Sequence, residues 1–310
     1  MPDTMFRLKA EDGAVLCVRH WPAGPPASAV LVIVHGMGEY GGRYAPFASF
    51  MADRGVHAYA VDLRGHGDTA AESGAARGHF ADENGWALVV GDVALAVDDA
   101  RRRHPDLPVF LFGHSMGSLI VRTYMHHRGE KLAGAIHSAA SKPQGVLARL
   151  GAVLAGREIR RAGPRGASPA LARLLTGHFN RRIPAARTPF DWLTRDEAEV
   201  DRYLADGRIV KSFTAAFYRD MIGGALEAGR KASMAKTPAQ LPLLFISGGQ
   251  DPLGGYGAGV RKTARAYEKA GVRDVTVILY PDARHELFQE KERKQAMLDI
   301  WHWMSKRLQA

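Results

Sequence analysis

A serine framed by two glycines, Gly113-His114-Ser115-Met116-Gly117, stands between an apolar run and a helical pattern. Val109 to Phe112 read as a short buried strand, and Met116 to His126 as the helix after it. On such a turn the serine exposes its hydroxyl, because the glycines let the chain bend where side chains would clash. A hydroxyl is a weak nucleophile until a base takes its proton. Ser115 therefore needs a histidine, and that histidine needs a carboxylate to orient it. The order serine, acid, histidine along the chain suits a nucleophile on a strand-to-helix turn.

Elimination narrows the partners. His20, His57 and His137 fall within strand patterns, and His104, His126 and His127 sit at helix ends, where positive charge suits the dipole. His285 lies in a loop after the last strand, in Tyr280-Pro281-Asp282-Ala283-Arg284-His285-Glu286. The acid must follow a strand between Ser115 and His285, and Gly248-Gly249-Gln250-Asp251-Pro252 places Asp251 there. Asp282 stays as a second choice, close in sequence to His285. A developing oxyanion needs two backbone N–H donors. Met116 supplies one, and Met37, in the glycine-bearing turn His35-Gly36-Met37-Gly38-Glu39, is the candidate for the other.

The elements that must carry these residues alternate. Phe6–Ala10 and Val15–Trp21 flank Asp12-Gly13 as an opening hairpin. Apolar runs at Ala29–Val34, Val56–Val61, Leu132–Ala139, Leu243–Ser247 and Val275–Tyr280 read as strands. Helices are expected over Tyr44–Arg54, from a cap at Asn84 through Trp86, Val89, Val93 and Val97, over Gly259–Ala270 and over Lys291–Leu308. Alternating strand and helix implies an α/β chain with a mostly parallel sheet covered on both faces. Between 141 and 235 the alternation stops. Short amphipathic helices replace it, among them one capped at Ser168-Pro169. This division predicts a core of 1–140 with 236–310 and a helical cap, 141–235, over the C-terminal edge of the sheet.

The chain has 310 residues, 46% of them hydrophobic, and a net charge of +10. Nine arginines against one acid, Glu158, lie between Arg149 and Phe190, so the predicted cap carries most of that charge. The arginines alternate with leucines and few aromatics, which fits an anionic lipid surface or substrate better than nucleic acid. Met1 to Glu11 hold no apolar stretch of signal-peptide length, and no run of about 18 uncharged apolar residues occurs, so a soluble, cytoplasmic protein is expected, peripheral to a membrane at most. Cys17 is the single cysteine and reads as a core residue. No cofactor is expected: Gly36–Gly42 lacks a phosphate-loop lysine, and no Cys/His/carboxylate spacing suits a metal.

Five stretches together resemble the monoacylglycerol lipase and lysophospholipase branch of the serine α/β-hydrolases. They are His35–Tyr44, Asp62-Leu-Arg-Gly-His-Gly67, Gly113–Gly117, Gly248–Pro252 and Tyr280–Glu286; Thr194–Tyr203 resembles a short segment of the family's cap. The resemblance implies an eight-stranded α/β-hydrolase sheet, a triad of Ser115, Asp251 and His285, oxyanion donors at Met37 and Met116, and hydrolysis of a single acyl ester. Gly36, Leu150, Leu154, Leu174 and Phe179 are then the expected lining of the acyl path. Ser118, Asp206-Gly207 and Phe288-Gln289 depart from the family's usual residues. An aminopeptidase on the same fold would need a cap carboxylate for the substrate amine, from Glu197, Glu199 or Asp201. A non-catalytic binding scaffold is the reading from another class.

Overall fold

The computed structural model describes residues 4–74, 76–141 and 145–308, and among them eight strands and eleven α-helices. The strands are β1 (Thr4–Lys9), β2 (Val15–Trp21), β3 (Ala29–Val34), β4 (Val56–Val61), β5 (Val109–His114), β6 (Gly134–Ser138), β7 (Leu243–Gly248) and β8 (Val275–Tyr280). They form one sheet in the order β1-β2-β4-β3-β5-β6-β7-β8. The opening hairpin is antiparallel, β2 joins β4 antiparallel, and every later pairing is parallel.

The helices are α1 (Ala45–Ala52), α2 (Gly67–Ser73), α3 (Gly85–Arg103), α4 (Met116–Arg128), α5 (Val146–Ala162), α6 (Pro169–Thr176), α7 (Glu197–Ala205), α8 (Ala215–Ala228), α9 (Lys231–Met234), α10 (Ala258–Lys269) and α11 (Arg293–Leu308). All six residues of β3 are buried, as a central parallel strand covered on both faces requires. Val30, Val32 and Val34 join a core with α3, α4 and α10, whereas Leu31 and Ile33 join a second core with α1 and α11. Helices α5 to α9 fall between β6 and β7, and an isolated bridge, Ala167 with Thr214, is the β-pairing among the described residues there.

Two local expectations change. The helix expected from Tyr44 is split: Gly41–Tyr44 form a 3-10 turn and the α-helix starts at Ala45. The Gly41 N–H, at the start of that turn, donates to Asp62 Oδ1 at 2.6 Å. Asn84 does precede α3, but with a left-handed backbone (φ 54°) and no side-chain cap bond. Ser168, by contrast, caps α6 through the Leu171 N–H.

Register brings the functional loops together. Val34 of β3 lies beside Gly113 of β5, Ser138 of β6 beside Ile246 of β7, and Gly248 of β7 beside Tyr280 of β8. The strands thus end on one edge, and the loops carrying Met37, Ser115, Asp251 and His285 all leave from it.

Candidate active site

Ser115 joins β5 to α4 at φ 53°, ψ −115°, a left-handed backbone that a side chain rarely adopts. Close packing enforces it. A Cβ on Gly113 would lie 2.4 Å from the Gly117 carbonyl oxygen, and one on Gly117 only 2.2 Å from that of Val34. Both glycines are needed for β5, α4 and β3 to approach so closely. The Ser115 N–H donates to the Ser138 carbonyl at 2.9 Å, which ties the elbow to the neighbouring strand.

His285 and Asp251, 34 residues apart, meet through Nδ1 and Oδ2 at 3.0 Å, both buried. The other carboxylate oxygen, Oδ1, accepts the Leu253 N–H at 2.9 Å. Burial opposes protonation of His285, but the charge and hydrogen bond of Asp251 outweigh it, and the pKa rises above the ordinary imidazole value. The ring sits between His114, 4.8 Å away, and Trp192, 4.7 Å away. Asp282 is exposed and makes no hydrogen bond to His285. Ser115 Oγ does not hydrogen-bond His285 in this structure; such bonds commonly tighten only when substrate binds.

The amides of Met37 and Met116 donate to no acceptor among the described residues, and Gly36 lets their loops approach. A Cβ on Gly36 would lie 3.1 Å from Ser115 Cβ and 2.6 Å from Glu39 Oε1. The Met37 turn is held from both sides. The Gly36 N–H donates to Glu39 at 2.6 Å, and the Val210 N–H, from the segment between α7 and α8, donates to the Gly38 carbonyl at 2.8 Å. His35 anchors the start, accepting the Leu63 N–H at Nε2, 3.0 Å away.

Sequence reasoning did not single out Glu39, Arg43, Glu286 and Trp192. Arg43 forms a bidentate pair with Glu286 at 2.8 and 2.9 Å and reaches Glu39 at 3.4 Å. It therefore joins the Met37 turn to the His285 loop. Burial pushes the Glu39 carboxyl pKa up, with Arg43 opposing. Glu39 and Arg43 lie in the matched stretch His35–Tyr44, and Glu286 follows His285, but their pairing spans the whole fold. Arg284 donates to the carbonyls of Asp191 and Thr194 at 2.7 and 3.0 Å, and the Glu286 N–H to that of Leu193 at 2.7 Å.

Of the expected acyl lining, Phe179 is buried and meets Trp192 edge-on at 4.6 Å, one ring removed from His285. Leu154 is half-buried against the core, and Leu174 lies beside Gly151 of α5. Leu150 does not fit: it is 58% exposed, as is Val153 at 57%, because both lie on the outward face of α5. The carboxylates weighed for an amine pocket are held in ion pairs, Glu197 and Asp201 exposed and Glu199 half-buried. Glu197 and Asp201 pair with Arg187, and Glu199 with Arg202. A cavity of about 350 Å³ flanks the acid and histidine loops, lined by Phe179, Arg182, Ile183, Gln250, Tyr256 and Arg284 among others. A larger one, about 940 Å³, lies between α3, α4 and α8 and is lined by none of Ser115, Asp251 and His285.

A mostly parallel eight-stranded sheet carrying a serine elbow defines an α/β-hydrolase. Residues 25–292 match the family described as Serine aminopeptidase, S33, and the chain belongs to that family. A monoacylglycerol lipase of Mycolicibacterium smegmatis is 29% identical over 287 residues, covering 92% of this chain and 90% of the relative. The monoglyceride lipase of Homo sapiens is 28% identical, covering 96% and 88%. Among solved structures, a carboxyl esterase from Bacillus coagulans in complex with glycerol superposes with a TM-score of 0.93 at 25% identity, over 99% of each chain. The protein is an enzyme, a hydrolase of the lipase and esterase kind.

Proposed function

We propose that the chain hydrolyses a single acyl ester of a glycerol-type lipid, a monoacylglycerol or lysophospholipid, through an acyl-enzyme on Ser115. The observation that carries this is the buried Asp251–His285 pair on the strand edge where the left-handed Ser115 emerges. The names of the relatives point to the monoacylglycerol.

In this reading His285 Nε2 takes the proton as Ser115 Oγ attacks the ester carbon. The Met37 and Met116 amides hold the oxyanion, and collapse breaks the bond to the glycerol oxygen, which leaves with the proton from His285. Water, deprotonated by His285, then adds to the acyl carbon; collapse breaks the bond to Ser115 Oγ, which takes the proton back from His285 as the fatty acid departs. Residues 141–235 act as a cap, and Phe179 and Trp192 guide the acyl chain. Arg182 favours the lysophospholipid alternative: it stacks 3.7 Å over Tyr256 and has no carboxylate partner among the described residues. It stands ready for an anionic head group.

The outward face of α5 suits a membrane surface. Arg149, Leu150, Val153, Arg157, Arg160 and Arg161 are all exposed within one sector of about 120°. A fluorophosphonate probe should label the wild type and not Ser115→Ala, and that variant should lose turnover by on the order of 10⁶-fold. Monoacylglycerols and lysophospholipids of increasing chain length should outperform an amino-acid anilide. Faster cleavage of the anilide would refute the lipid assignment.

A further inference from the structure

Three histidines far apart in the chain meet at the end of the sheet away from Ser115. His20 lies on β2, His57 is the second residue of β4, and His104 follows the last residue of α3. Strand pairing sets His20 opposite Tyr59, which brings His20 Nε2 within 3.3 Å of His57 Nδ1. His104 stacks on His57 at 4.0 Å, and one nitrogen from each of the three lies within 4.8 Å of the others. We propose that His20, His57 and His104 form a binding site for one divalent transition cation of the zinc, nickel or copper type.

The 3.3 Å separation matches two imidazoles on a tetrahedral ion, whose nitrogens stand about 3.3–3.4 Å apart for bonds of about 2.0–2.1 Å. Imidazole is a common ligand for these ions, and only its neutral form binds them. The Tyr59 hydroxyl lies 2.8 Å from His104 Nε2. When that nitrogen donates its proton to the hydroxyl, Nδ1 carries the lone pair, and the tyrosine is the outer partner that orients a metal-bound histidine.

Capture requires His104 to turn out of the stack on His57 while keeping its bond to Tyr59. His57 Nδ1 also accepts the Ala23 N–H at 3.1 Å, and this half-buried amide would pass to water. The cluster contains no carboxylate, so water completes the coordination. Arg103 lies close enough to disfavour added charge, although it is paired with Asp99.

Chelator-treated full-length protein is titrated with ZnCl₂ and NiCl₂ by calorimetry, with thermal melts alongside. One equivalent should bind and raise Tm, since a ligand of the folded state stabilises it. His57→Ala should abolish binding, and Tyr59→Phe should weaken it by about 10–100-fold. In the Cu²⁺-loaded wild type, electron paramagnetic resonance should show coupling to three nitrogens. Should His57→Ala loosen the sheet, His104→Ala tests the same ligand set and leaves the strands unaltered. Undiminished binding in both histidine variants would place the cation elsewhere and overturn the proposal, as would no binding at millimolar metal.

Discussion

His285 feels burial and Asp251 in opposite senses, and the balance has a kinetic signature. In the proposed reaction only the neutral imidazole accepts the Ser115 proton, so turnover should fall as pH drops through a pKa raised above the ordinary value. Asp251→Asn removes the influence that raises it. The acid limb of a kcat/KM profile on a soluble ester should then move to lower pH, while kcat falls about 10⁴-fold. Arg43 carries a structural version of the same argument. Arg43→Ala leaves Glu39 and Glu286 buried without their counter-ion, a change worth about 3–5 kcal/mol in urea unfolding near pH 8. The penalty should shrink toward acid, because Glu39, already raised by burial, then takes up a proton. Ser115, Asp251 and His285 were legible as motifs because their chemistry demands particular neighbours in sequence. Glu39 and Arg43 stood in a legible motif too, but the Arg43–Glu286 contact crosses 243 residues and leaves no local trace.

Strands were the most readable elements. β3 and β4 begin and end where the apolar runs do, since a strand buried within the sheet permits little else; β8 matches its run too, although it is a half-buried edge strand. Helix ends were less readable, as the split at Tyr44 shows. In α5 the periodicity located the amphipathic pattern but could not say where Leu150 would point, because an outward leucine facing a lipid phase obeys the same spacing as one facing a core. Helix packing supplies its own test at Gly224 of α8, which lies flat against Trp86 of α3. A Cβ there would sit 2.0 Å from the indole. Alanine normally favours a helix by about 1 kcal/mol over glycine. Here Gly224→Ala should lower Tm, because the clash forces α8 away from α3.

At the scale of the molecule, charge and apolar exposure coincide on one side. Leu150→Glu with Val153→Glu should reduce sedimentation with phosphatidylglycerol vesicles and slow hydrolysis of vesicle-borne monoacylglycerol, yet leave a short soluble ester unaffected. Raising salt should weaken vesicle binding of the wild type, since exposed charges are screened beyond about 10 Å at 0.1 M. No helix among the described residues is long and apolar enough to cross a membrane. Helices α5 to α9, inserted between β6 and β7, are tied to the loops that carry the candidate site. The Val210 N–H grips the Gly38 carbonyl, and the Arg284 guanidinium grips those of Asp191 and Thr194, so one backbone bond and two side-chain bonds join the insert to the loops on both sides of Ser115. The insert is therefore not an interchangeable module. A chimaera carrying a foreign one would inherit a new specificity only if the graft also restored an amide at position 210 and two carbonyls for Arg284; otherwise the machinery beneath would lose its alignment.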